Sequence, residues 1–129
     1  MAHSRFLIGA NWKMNGSLNL LKEFSGNAEF LEACEKENVE VLLSPPFPYL
    51  GTAKEAFAGS SVSIGAQNCH FAPLGAFTGE ISIPILKDIC VDWVILGHSE
   101  RRSIFAETDK IIGDKVAAAL EAQMRVILC

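Results

Sequence analysis

The chain has 129 residues, half of them apolar, with eight Phe and two Trp. That is enough to bury one core, and it argues against a disordered chain. Eleven basic against fifteen acidic residues give a net charge of −4, which disfavours a general nucleic-acid or anionic-membrane binder. No window reaches the apolar length of a membrane span. The start, Met1-Ala2-His3-Ser4-Arg5, leads into an apolar run that breaks at Asn11, so no signal-peptide core is read and the cytoplasm is the expected compartment.

Phe6 to Ala10 reads as a buried strand. Ser17 is a candidate N-cap, after which Leu18, Leu21, Ala28 and Leu31 recur at helical spacing. Val39 to Leu43 is a second strand, ended by Pro45-Pro46 because proline donates no ladder hydrogen bond. A helix is expected from Tyr49 to Phe57, then a break at Gly59-Ser60-Ser61 and a third strand over Val62 to Ala66. Gln67 to Ser82 has no clear period and carries Pro73, Gly75 and Gly79. It reads as a long ordered loop, a type that is usually functional. A short helix runs from Pro84 to Ile89, and Trp93 to Leu96 is strand four. Ser99 is a candidate cap for a further helical turn. Ile112, Val116, Ala119 and Met124 mark a last helix, and Val126 to Cys129 starts a fifth strand.

Apolar strands alternating with helices argue for an α/β fold with a parallel sheet buried on both faces. A doubly wound open sheet and a βα barrel both fit. No strand is followed by GxGxxG or GxxxxGK[ST]. The whole chain, 1–129, reads as part of one domain with no second.

Function in such folds collects where the strands end. Lys13 follows strand one among polar residues, where a cation could hold an anionic substrate and stabilise developing negative charge; a surface lysine is the alternative. His98 follows Gly97 and precedes Ser99-Glu100. A histidine at the positive end of a helix disfavours its own charged form and would act as a neutral hydrogen-bond donor; a capping or packing histidine is the alternative. Glu100, Arg101, Arg102 and Glu107 are expected to be a solvated face or a local ion-pair network. His3, His70 and His98 lack ligand spacing, so no metal is expected. Cys34, Cys69, Cys90 and Cys129 fit no zinc or CxxC pattern and read as separate reduced thiols, with two disulfides as the alternative. Ser99 and Cys129 have no evident partners for covalent catalysis.

Four segments in order resemble the triosephosphate isomerase family: Gly9-Ala10-Asn11-Trp12-Lys13-Met14-Asn15-Gly16, Gly65-Ala66-Gln67-Asn68, Gly75-Ala76-Phe77-Thr78-Gly79-Glu80-Ile81-Ser82 and Gly97-His98-Ser99-Glu100-Arg101-Arg102. The resemblance covers essentially the whole chain. It implies a (βα)8 TIM barrel, here about the first four βα units plus the start of strand five. It also implies interconversion of dihydroxyacetone phosphate and glyceraldehyde 3-phosphate, a step of glycolysis and gluconeogenesis, with no cofactor or metal. By resemblance Asn11 and Lys13 bind substrate, and Lys13 contacts the developing enediolate. His98 polarises the carbonyl and shuttles protons between the oxygens, and Glu100 pairs with the lysine. Thr78, with Gly75 and Phe77, belongs to a loop that inserts into the neighbouring subunit of a homodimer through Gln67–Ser82. Cys129 matches a buried cysteine that supports the site. A glutamate base paired with a neutral histidine is the family's established chemistry, carried over with the resemblance.

A family barrel needs roughly 250 residues. The glutamate base after strand six, the mobile lid and the Gly-rich loops after strands seven and eight have no counterpart in these residues. The expectation is therefore an isomerase portion that is inactive alone and is unstable, aggregating or rescued by association. A truncated isoform serving as an interaction and dimerisation module is the alternative. A different phosphosugar enzyme is disfavoured, because all four motifs match one family.

Overall fold

The structure is a computed structural model that describes residues 6–36 and 38–129. Met1 to Arg5, and with them His3, lie outside the described residues. The chain divides into two compact units, 1–65 and 66–129.

In the first unit β1 (Phe6–Asn11), β2 (Val39–Ser44) and β3 (Val62–Ala66) are parallel neighbours. Phe6 lies opposite Val39 and Asn11 opposite Ser44, while Val41 lies opposite Val62. The helical pattern after Ser17 forms two helices instead of one, α1 (Leu18–Ser25) and α2 (Ala28–Cys34). Gly26 closes α1 with its N–H on the Lys22 carbonyl at 2.9 Å, and Asn27 Oδ1 accepts from the Phe30 N–H at 2.9 Å to open α2. Ser17 does cap α1, its Oγ accepting from the Leu20 N–H at 3.0 Å. Beyond β2 a 3₁₀ turn at Phe47–Tyr49 leads into α3 (Leu50–Ala56). This replaces the single helix expected from Tyr49, since Pro48 fits a tight first turn.

The second unit pairs β4 (Trp93–Leu96) with β5 (Arg125–Leu128) in parallel, Trp93 opposite Arg125 and Leu96 opposite Leu128. The loop from Gln67 to Ser82 contains neither helix nor strand. One bridge closes it, from the His70 N–H to the Ile81 carbonyl at 2.8 Å. Ser82 Oγ then caps α4 (Ile83–Asp88), accepting from the Ile85 N–H at 3.3 Å. After β4 come α5 (Ser99–Ser103) and α6 (Asp109–Glu121). Met124 lies beyond α6, yet it is buried, in the turn that starts β5.

The expectation of strands buried on both faces holds for β2, β3 and β4, where Leu42, Ile64, Val94 and Leu96 are all at most 3 % exposed. It fails for β1: Phe6 is 74 % and Ile8 56 % exposed. Leu128 on β5 is 58 % exposed. Among the described residues β1 pairs only with β2 and β5 only with β4, so an apolar run alone does not guarantee cover. No helix among the described residues is long and apolar enough to cross a membrane.

Candidate functional site

Asn11 and Lys13 lie together in the first unit, at the C-terminal end of β1. The Trp12 N–H extends the β1–β2 ladder to the Ser44 carbonyl at 3.0 Å. There the chain turns, and Asn11 Oδ1 accepts from the Lys13 N–H at 2.9 Å. Lys13 sits at φ +54°, a left-handed conformation that costs a residue with a Cβ roughly 1–2 kcal/mol. The Asn11 side chain offsets part of that strain by satisfying the turn from inside. Asn15 Nδ2 donates to the Trp12 carbonyl at 3.1 Å, and Gly16, at φ +125°, packs so close to Trp12 that a Cβ would meet its ring at 2.8 Å. The outcome is a tightly bonded turn that presents an exposed lysine.

His98 and Glu100 lie together in the second unit, where β4 passes into α5. The sequence offered Ser99 as the cap and a capping role as the alternative for His98; the structure uses His98, its Nδ1 accepting from the Glu100 N–H at 3.2 Å. Ser99 is already the first helical residue, so its side chain is one position late for that donor. An Nδ1 that accepts carries no proton, which places the ring proton of neutral His98 on Nε2. Glu100 Oε2 also lies 3.5 Å from Nδ1. That contact would become an ion pair only with a protonated ring, and a proton on Nδ1 would displace the Glu100 amide. The backbone bond has the better claim, because the N–H at a helix start has no other intrahelical acceptor.

Of the two expectations for the charge cluster, the local ion-pair network holds for Arg101 and Glu107. Glu107 and Lys115 are nearly fully buried, at 6 % and 5 % side-chain exposure. Lys115 Nζ donates to Glu107 Oε1 at 2.7 Å and to Asn68 Oδ1 at 2.9 Å, and Arg101 Nε donates to the other Glu107 oxygen. Burial pushes the Glu107 carboxyl up, but hydrogen bonds from Lys115 and Arg101, with their charges, outweigh it and hold Glu107 below the ordinary carboxylate value. The network ties the start of the 67–82 loop to α6 and to α5. Sequence reading gave Lys115 and Asn68 no role here. The signal available was a lysine three residues after Ile112 and four before Ala119, on the apolar stripe of a helix.

Thr78, Gly75 and Phe77 are exposed on the long loop. Gly75 at φ +143° packs against the Phe77 ring, where a Cβ would lie at 2.8 Å. His70 is held between Phe71 and Phe77, with ring centroids at 4.4 and 4.3 Å. A cavity of about 570 Å³ opens beside them, lined by Leu74, Phe77, Glu80, Pro84 and Ile85 among others.

Cys129 is exposed, not buried as the resemblance implied. It follows β5, which is covered on one edge only, and its carbonyl accepts from Arg102 Nη2 at 3.0 Å. All four cysteines are free thiols. Burial pushes the Cys69 thiol up to about 11; nearby Lys115 lowers it and Glu107 raises it. Among the described residues no group of three or more His, Cys, Asp or Glu is placed to hold a metal ion.

A family model described as triosephosphate isomerase matches residues 6–129. Among curated relatives, the chain is 48 % identical to the triosephosphate isomerase of Aquifex aeolicus over 126 residues, covering 97 % of this chain and 50 % of that protein. It is 49 % identical to that of Chromohalobacter salexigens, covering 95 % of this chain and 49 % of the relative. It is likewise 49 % identical to that of Yarrowia lipolytica, covering 96 % and 49 %. The chain thus spans about half the length of the curated relatives it matches, and its five strands with their helical connections are the α/β units of about half a TIM barrel. The chain belongs to the triosephosphate isomerase family.

Proposed function

We propose that these residues form the carbonyl-polarising and enediolate-stabilising part of an isomerase that interconverts dihydroxyacetone phosphate and glyceraldehyde 3-phosphate. The observation that carries this reading is the His98 hydrogen bond. With Nδ1 occupied by the Glu100 N–H, neutral His98 offers an Nε2–H to a substrate oxygen. A neutral donor of this kind polarises a carbonyl and can return its proton to the adjacent oxygen, which an enediolate mechanism requires. Lys13 supplies the fixed positive charge against the developing oxyanion and Asn11 binds beside it, and by family resemblance Glu100 is the carboxylate assigned to the lysine. Cys129 supports the site from the end of β5. No residue of the 129 matches the family's glutamate base, so proton abstraction from carbon needs a group from outside them.

Association of two copies through Gln67–Ser82 is part of the same proposal. The exposed apolar side chains Leu74 (82 %) and Phe77 (45 %) favour it, and Thr78 matches the tip of the family's inserting loop. The proposed compartment is the cytoplasm.

The test is a coupled isomerase assay on two proteins purified from a host lacking its own isomerase. One is the 129-residue chain. The other is the same chain joined to the remaining half of the Aquifex aeolicus relative. The expectation is no turnover for the first and turnover for the second, lost by about 10²–10³-fold with Lys13→Ala. A folded chimera without turnover, or turnover that survives Lys13→Ala, contradicts the proposal. Turnover by the 129 residues alone would remove the missing-base argument.

A further inference from the structure

We infer that Arg102 is a positioning residue for His98, its guanidinium fixing the peptide that precedes the histidine. The inference rests on the reading of His98 above and deepens it. Arg102 Nε donates to the Gly97 carbonyl at 2.7 Å, and the Arg102 backbone N–H donates to the His98 carbonyl at 3.2 Å. The Arg101 N–H donates to the same His98 carbonyl at 2.9 Å, so the start of α5 holds the peptide after His98 and the Arg102 side chain holds the peptide before it. The rest of the guanidinium is also committed: Nη2 donates to the Cys129 carbonyl at 3.0 Å and Nη1 to Asp109 Oδ1 at 2.6 Å. The Cys129 N–H in turn donates to the Leu96 carbonyl at 2.9 Å. The fork therefore bridges the C-terminal ends of β4 and β5 directly beneath the turn that carries His98.

Gly97 explains why such a clamp is needed. It sits at φ +71°, and a Cβ there would lie 2.9 Å from Arg102 Nη2 and 2.9 Å from the Cys129 carbonyl oxygen. The positive φ and the close approach of the Cys129 backbone carbonyl demand glycine, and the space left by the missing Cβ admits the guanidinium. Glycine, however, leaves its own ψ loosely restrained, so the direction of its carbonyl is set by what bonds to it. That carbonyl belongs to the Gly97–His98 peptide, and its direction sets where the His98 side chain leaves the chain. Only a planar, always-charged fork can serve three acceptors in fixed directions; a lysine ammonium is a single point on a flexible stem.

The test uses the chimera described above with ¹⁵N-labelled histidine. The ring signals of His70 and His98 are assigned by single His→Gln variants. In the parent chimera His98 Nδ1 should resonate as an unprotonated nitrogen. If it is instead protonated at neutral pH, the reading of His98 fails, and this inference with it. Given the expected parent signal, Arg102→Ala and Arg102→Lys should each lose it in favour of averaged tautomers, and Glu100 amide exchange should quicken about 2- to 10-fold. The His70 signals should stay in place, which separates repositioning from general loosening. Free guanidinium, but not ammonium at equal concentration, should restore the His98 signal in Arg102→Ala. Asp109→Asn, which alters only the 94 %-exposed partner, should leave it unchanged. Should Arg102→Ala fail to fold, Arg102→Lys carries the reading. A folded Arg102 variant that keeps the parent His98 signal and Glu100 exchange rate would overturn the inference while leaving the reading of His98 intact.

Discussion

Glu107→Gln probes the buried charges directly. In the parent chain the carboxylate accepts from Lys115 Nζ at 2.7 Å and from Arg101 Nε, with both Glu107 and Lys115 almost entirely out of water. The amide keeps one oxygen for Lys115 but turns two donors toward Arg101 and removes the negative charge. Lys115 is then a buried ammonium whose remaining acceptors, Asn68 Oδ1 at 2.9 Å among them, are neutral. Removing one partner of a buried pair typically costs about 3–5 kcal/mol, against about 5–15 for a whole domain. With a urea slope of about 1–3 kcal/mol per molar, the unfolding midpoint should fall by at least about 1 M. The exposed Lys110–Asp114 pair at 2.8 Å is the control, where Lys110→Ala should cost no more than about 0.5 kcal/mol. Equilibrium urea unfolding followed by circular dichroism reads both. A midpoint shift for Glu107→Gln no larger than for Lys110→Ala would refute the view that this network holds the second unit together. The double variant Glu107→Met/Lys115→Met should recover much of the loss, because it leaves no orphaned charge.

The same carboxylate sets a pH dependence. Its folded pKa lies below its ordinary value of 4.5, so its stabilisation is present above 4.5 and is lost as pH falls through the depressed folded value. Stability measured from pH 6 to 3 should drop more steeply for the parent than for Glu107→Gln; parallel curves would contradict this. Cys90 and Cys129 are exposed and Cys34 and Cys69 buried, so an aromatic disulfide reagent at pH 8 should modify the first two promptly and the others only on unfolding. Four equal rates would argue against that burial. Finally, Ile8→Lys on the exposed β1 edge should reduce self-association seen by light scattering, since an inserted charge blunts a free strand edge; unchanged scattering would place the contact elsewhere.

Where hydrophobic period and cap chemistry agreed, the sequence was readable. Ser17, Pro45 and the run Val62 to Ala66 lie where local rules put them, because each acts within a few residues of itself. Gly26-Asn27 was misread inside one helical stripe, although glycine followed by asparagine is a stop and a start in sequence order. The capping alternative for His98 was legible, and it displaced Ser99 because Nδ1 can accept an N–H as an oxygen does, one position before the first helical residue. The position of Lys13 after a strand was legible, but its φ of +54° and the Asn11 bond that supports it were not. For Glu107 the ion-pair alternative with Arg101 was legible, but its burial against Lys115, 8 residues ahead on α6, was not. The exposure of β1 was hidden for a different reason: periodicity reports which residues want cover, not whether cover is there.

The account turns on His98 acting as a neutral Nε2–H donor in an isomerase, and the most direct measurement is turnover of the chimera carrying His98→Gln. We predict a fall in kcat of about 10²–10⁴-fold with the fold intact by circular dichroism. A folded His98→Gln chimera that turns over at the parent rate would contradict the account.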